Sequence, residues 1–190
     1  NYKSNTIQRS LIFIASCGYA FPGTILAVGI VVFIGWLNDN IYFHFSYYVG
    51  GFIILIFAYT TRFLAVGNGA IRSGVLRIHP NLMDVNKTMG INFFRGIRKL
   101  IIPLIYTNII AGGILVFVDI LKELPITLLL RPFNFETLAT YVYQYASDEL
   151  LEESSFAALI IILAGLGPVI FLSSTIKKIS LRKQSKVELK

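Results

Sequence analysis

The sequence predicts an all-α, polytopic membrane protein: a transmembrane helical bundle of about four to five membrane segments with a helix–turn–helix loop on the cytoplasmic side. Three observations predict it. Apolar residues make up 55% of the 190 positions and charged residues only 14%, with a mean hydropathy of +0.70, whereas a soluble domain usually carries about 25% charge. Four stretches, Leu11–Leu37, Asn40–Thr61, Leu100–Val118 and Phe156–Ile176, contain no Asp, Glu, Lys or Arg, and each meets or approaches the roughly 20 residues that a helix needs to cross the hydrocarbon. The basic residues gather between alternate stretches, as cytoplasmic loops require.

The first stretch gives a span at about 11–37. It contains Pro22-Gly23, so it is kinked or re-entrant there, and it is too long for the apolar region of a secretory signal. No targeting peptide is visible, and a start at Asn1 instead of Met suggests a fragment or a processed product. The single cysteine, Cys17, excludes an intrachain disulfide and a cysteine metal cluster. The second stretch gives a span at about 42–62. His44 lies among Tyr42, Phe43, Phe45, Tyr47 and Tyr48, the composition of an interfacial aromatic belt. By topology it faces away from His79, so the two histidines cannot share a metal or a triad.

The loop at about 80–100 is patterned like a helix. Leu82, Val85, Met89, Phe93, Ile97 and Leu100 recur every three or four residues, with Lys87, Arg95, Arg98 and Lys99 at other positions of the turn. Such a stripe forms a docking ridge for a soluble partner or an amphipathic helix on the inner leaflet. Gly90 permits a sharp turn between two short helices, and Pro103 suits the first turn of the third span, at about 101–120. Beyond that span, Pro125 and Pro132 break the helix while Lys122, Glu123 and Arg131 stand in apolar sequence. Charges beside a span need water or a partner, so Lys122–Phe133 is expected to be a broken segment at the outer mouth of a pathway. Lys122 and Glu123 could pair locally there, which is the bland structural account, or Arg131 near the mouth could instead meet anionic ligands. Tyr141, Tyr143 and Tyr145, followed by Asp148, Glu149, Glu152 and Glu153, form an edge suited to docking a soluble protein. The fourth span lies at about 156–176, and a basic tail follows at 179–190.

All but Arg62, Lys122 and Arg131 of the 17 Lys and Arg residues lie before the first span, in the central loop or in the tail. Both termini and the loop are therefore expected in the cytoplasm, with Arg62 near the cytoplasmic end of span two. The net charge of +7 reflects this orientation. Basic residues divided by membrane do not form a nucleic-acid stripe. No phosphate-cradling G-x-x-x-x-G-K-[ST] occurs; the nearest cluster, GNGAIRSG at Gly67–Gly74, lacks the lysine. No catalytic residue, metal site or bound cofactor is assigned. A secondary transporter or channel is disfavoured because the charge-free runs lack the acids and bases that ion coupling requires, Arg62 and Asp119 sitting at span ends.

The loop spacing, Asp84-Val85-Asn86, three residues, Gly90, nine residues, then Leu100-Ile101-Ile102-Pro103, resembles the E-A-A, three residues, Gly, nine residues, Ile-x-Leu-Pro signature of the membrane-spanning permeases of binding-protein-dependent ABC importers. Asp stands for Glu, and Val85-Asn86 for the two alanines. GYAFPGTILAVGI (Gly18–Ile30), RFLAVGNGAIRSGVLRIHP (Arg62–Pro80) and VFVDILKELPITLLLRPFNFETLATYVYQYAS (Val116–Ser147) look like the ferric iron permeases of that superfamily.

The resemblance implies a transmembrane domain over 1–178, and a coupling loop in which Asp84, Val85, Asn86, Gly90, Phe93, Ile97 and Pro103 fit a cleft of a separate ABC ATPase subunit that uses the ATP. It implies three further partners: a second permease half, a periplasmic or extracellular solute-binding protein, and the lipid bilayer. It also implies a bacterial inner-membrane location and iron(III) as the transported solute. The single loop makes the chain look like a C-terminal half, as a truncated gene product or one piece of a split permease. Related permeases carry thiamine, polyamines or phosphonates, which are the alternative cargoes. A membrane-anchored assembly or signalling protein with a basic docking loop is the alternative of another class.

Overall fold

A computed structural model describes residues 6–41, 47–79, 82 and 92–188, and every regular element among them is helical. Among the described residues four helices are long and apolar enough to cross a membrane, over Gly23–Asn40, Gly51–Val75, Phe94–Leu121 and Leu151–Ser174. The described residues belong to two compact units. One comprises Asn1–Ala65 with Phe117–Gly165, the other Val66–Val116 with Leu166–Lys190.

The stretch expected as one kinked span at 11–37 is two helices, α1 (Thr6–Ala20) and α2 (Gly23–Ile41). Proline disfavours helical geometry at the preceding residue and has no N–H to donate. Accordingly α1 stops before Phe21, and the Pro22 carbonyl takes up the N–H of Leu26 at 3.1 Å as α2 begins.

Helix α3 (Tyr47–Val75) overruns the expected span of 42–62 by 13 residues at its C-terminal end. Arg62 therefore lies near its middle and not at the end of the span, roughly 20 Å from either terminus at 1.5 Å per residue. The charge has a partner in Glu123, so it need not mark the membrane boundary.

In the first unit, α3 packs against α2 and the short helix α6 (Pro125–Leu130; α4 and α5 precede it and are described next). Ala27, Leu55, Ala58, Ile126 and Leu130 are buried together, with Leu26, Ile30, Ile54, Tyr59 and Phe135 around them. Alanine at the centre lets helices approach where lipid supplies no hydrophobic drive between them. Phe52 and Phe135 close one side edge-to-face, ring centroids 4.8 Å apart.

The second unit holds α4 (Phe93–Gly96), a single π turn (Ile97–Ile101) and the start of α5 (Ile102–Leu121). These run on without a break, so Pro103 lies inside a longer helical segment rather than opening the span. The π turn accounts for this. The Ile102 N–H reaches back to the Ile97 carbonyl, and the widened turn makes room just before a residue that lacks an N–H and whose ring would strike the carbonyl four positions back. Further along, α5 packs antiparallel on α3. Gly112 faces Ala70 and Gly67, and Asn108 Nδ2 donates to Ser73 Oγ at 3.1 Å and to the Ala70 carbonyl at 3.4 Å. Small residues at the crossing and one amide as polar glue are the means by which helices associate in lipid.

Thr137 opens α7 (Leu138–Ser147) with a reciprocal capping box to Thr140. The turn after it carries Glu149 at φ 61° and leads into α8 (Leu151–Glu188), which holds Pro168 and continues through most of the stretch expected as a separate tail at 179–190. Large apolar side chains stand exposed on α2 (Val28, Val32, Phe33, Trp36) and α8 (Leu159, Leu163, Ile170, Phe171), surfaces that suit hydrocarbon and not water.

A Cβ at Gly112 would stand 2.9 Å from the Ala70 Cβ. Gly112→Ala is therefore expected to cost about 1–3 kcal/mol through overpacking, and Ala70→Gly in the same chain to recover most of it. Thermal unfolding of the detergent-solubilised protein checks both.

Candidate functional site: an ion pair inside the apolar bundle

Tyr59 and Arg62 are three residues apart and so share a face of α3. Both reach the break between α5 and α6. Arg62 Nε lies 3.4 Å from Glu123 Oε2, an ion pair without hydrogen-bond geometry at that nitrogen. The Arg62 Nη1 donates to the Phe21 carbonyl at 3.2 Å, the last carbonyl before Pro22. Glu123 is only 7% exposed, and its Oε1 accepts the N–H of Ile126 at 3.3 Å, the first N–H available after Pro125. Each charge therefore satisfies a backbone group left open at a helix break as well as its counter-ion.

A second tie lies one turn away. Thr127, fully buried, donates its hydroxyl to the Glu123 carbonyl at 2.8 Å. Its single proton is thus committed, so in the short hydrogen bond between the two hydroxyls Tyr59 is the donor and Thr127 the acceptor. Gly23 completes the site. A Cβ there would come within 2.8 Å of both Arg62 Nη1 and Glu123 Oε1, so any larger residue beside the start of α2 would push the head groups of the pair out of their present positions.

The residues expected to line the outer mouth are thus dispersed. Lys122 does not pair with Glu123. It pairs with Asp119 at 2.9 Å, one turn back on α5, with its side chain 66% exposed. Glu123 turns inward to Arg62. Pro125 occupies the first turn of α6, where its missing N–H costs nothing. Arg131 is engaged by Glu136 and donates to the Phe135 carbonyl at 3.5 Å, while Glu136 also accepts the Thr140 hydroxyl at 2.8 Å. Within this unit the segment begins beside the middle of α3 and ends with Pro132 against Gly51, so it lines α3 over that length instead of lying wholly at a surface.

Of the loop residues, Asp84, Val85, Asn86 and Gly90 lie outside the described residues, as does His44. Phe93 begins α4, and Ile97 and Leu100 are half-buried in the π turn. The exposed surface there consists of Phe94, Arg95, Arg98 and Lys99. Tyr143 is exposed, and Tyr141 and Tyr145 pack with ring centroids 4.3 Å apart. Their hydrogen bond, reinforced by partial burial, keeps the Tyr141 phenol above its ordinary pKa, so it stays neutral at pH 7. Among the described residues no group of three or more His, Cys, Asp or Glu is placed to hold a metal.

Sequence reasoning missed Arg62 and Gly23 as site residues. The uncharged run Phe63–Ile71 after Arg62 was the available signal that the span continues past the charge.

Thr127 joins two partners, so Thr127→Val is expected to cost about 1–3 kcal/mol, leaving the Tyr59 hydroxyl and the Glu123 carbonyl unpaired, and Tyr59→Phe only about 0.5–1.5 kcal/mol. Thermal unfolding in detergent ranks the two, and the reverse order would refute the bridging role of Thr127.

The family described as binding-protein-dependent transport system inner membrane component matches residues 1–184. The Fe(3+)-transport system permease protein FbpB 2 of Haemophilus influenzae is 28% identical over 155 residues, which cover 81% of this chain and 29% of that protein. The chain thus spans less than a third of the length of the relative it matches. A match over nearly the whole chain, on four helices apolar enough to cross a membrane, makes this a multi-pass membrane protein that belongs to the binding-protein-dependent transport system inner membrane component family.

Proposed function

We propose that the chain is a permease part of an ATP-driven importer of iron(III). It performs no chemistry of its own and works with a separate ABC ATPase subunit, a second permease half and a periplasmic solute-binding protein in a bacterial inner membrane. The observation that carries this reading is the family match over residues 1–184, and the ferric iron permease FbpB 2 among similar proteins supports the cargo.

Residue chemistry supports the partners. Asp84, Val85, Asn86, Gly90, Phe93, Ile97 and Pro103 keep the spacing of an ATPase-docking loop, and the neighbouring Arg95, Arg98 and Lys99 are exposed beside Phe94. The charge distribution supports cytoplasmic termini and a cytoplasmic loop. The tyrosine-rich, acidic edge from Tyr141 to Glu153 supplies aromatic anchors and rim charge for a binding protein on the other side. ATP hydrolysis would then be transmitted mechanically through the loop to the spans.

In the complete transporter reconstituted into vesicles, Gly90→Leu should leave the chain inserted and lower ATP-dependent ferric uptake at least tenfold; unchanged uptake would refute the docking loop. Iron uptake by cells lacking the gene tests the cargo: uptake equal to that of the parent strain would remove iron(III) in favour of another small solute. Arg131→Gln tests the outer mouth. A fall in uptake at normal protein abundance supports a role in the pathway, and full uptake leaves Arg131 as no more than the partner of Glu136.

A further inference from the structure

We infer that Arg62 and Glu123 are positioning residues for transport: their ion pair pins the two helix breaks, at Phe21–Gly23 and Lys122–Leu124, to the middle of α3, so that α2, α3 and α6 move as one piece. The inference rests on the permease reading and assigns a role to a pair that the docking loop and the cargo do not explain.

Four observations converge on it. The pair is deep, with side-chain exposures of 18% for Arg62 and 8% for Glu123, on a helix otherwise suited to hydrocarbon. Removing one partner leaves the other's largely buried charge without its counter-ion. Each partner also holds the backbone end of a different break, Arg62 through the Phe21 carbonyl and Glu123 through the Ile126 N–H. Proline-broken helices are the natural hinges of a membrane bundle, and here both hinges are tied to one point. Finally, a Cβ at Gly23 would stand 2.8 Å from both charged groups, so an alanine there would shift their head groups without changing any charge.

A contact needed only for stability differs from this one in a measurable way. A buried ion pair exchanged for apolar side chains often leaves stability unchanged or improved, but leucines cannot hold the Phe21 carbonyl or the Ile126 N–H. The test uses the complete transporter in vesicles, with Gly23→Ala, Glu123→Gln, Arg62→Leu and the double variant Arg62→Leu/Glu123→Leu. Gly23→Ala and Glu123→Gln should assemble, support ATP hydrolysis by the partner subunit within twofold of wild type, and lose uptake at least tenfold. The double variant should be more thermally stable than Arg62→Leu alone without regaining uptake.

Double-variant uptake within twofold of wild type, or losses that merely follow the amount of assembled transporter, would overturn the inference. Amide hydrogen exchange of the detergent-solubilised chain reads the pin without transport. Exchange at residues 21–26 and 123–128 should rise at least tenfold in the double variant, and equal exchange would refute the pin. A wild-type complex with no ATP-driven uptake would instead remove the permease reading, and the transport role with it, while the exchange result still decides whether the pin exists.

Discussion

A guanidinium halfway along a 29-residue helix that is apolar enough to cross a membrane has no water to turn to, so the protein itself must supply its counter-charge and its acceptors. Much of the first unit follows from that requirement. Glu123 has to reach the middle of α3, so α5 must end and the chain turn inward there; Pro125 ensures that it does. Phe21 has to present a free carbonyl, which is what Pro22 leaves behind when it terminates α1. Both head groups lie where a Cβ on Gly23 would crowd them. Two prolines, a glycine and two charges, distant in sequence, are consistent with one another because they solve the same solvation problem.

The second unit meets the same absence of water by different means. No buried ion pair is needed where α3 and α5 approach, because Gly67, Ala70 and Gly112 let the backbones come close and dispersion contacts accumulate. Asn108 is the polar component: its amide is shared between the Ala70 carbonyl and the Ser73 hydroxyl, and Ser73 itself donates back to Ala70 at 2.7 Å. Each polar atom added to this crossing thus arrives with its partner, on the same principle that joins Arg62 to Glu123.

The helical class, the four apolar segments and the breaks at Pro22 and Pro125 were legible in the sequence because they are local. A run without charge and a proline carry their meaning within a few residues. The depth of Arg62 was not legible, since counting hydropathy treats a charge as the end of a span unless its partner is known, and that partner lies on another helix. The same ambiguity hides the partner of Lys122. Glu123 is its sequence neighbour, but successive helical residues point about 100° apart, and Asp119, three positions back, shares its face. Nor does the sequence distinguish Pro103 at the start of a helix from Pro103 behind a π turn; only the Ile102 to Ile97 hydrogen bond does so.

The pairing also bears on how a ferric ion would be selected. Carboxylate oxygens suit hard cations; Glu123 falls in the segment Lys122–Phe133 that the sequence associates with the pathway, and Asp119 and Glu136 flank it. Each is already engaged by a cation of this chain: Lys122, Arg62 and Arg131 respectively. An engaged carboxylate gives up its ion pair before it can ligate a metal, which weakens it as a resting-state ligand. Under the permease reading, a path whose acids are neutralised in this way lets cargo pass without holding it. On the proposed function, discrimination among solutes would then fall to the proposed soluble binding protein, while these charges act on the chain's own helices.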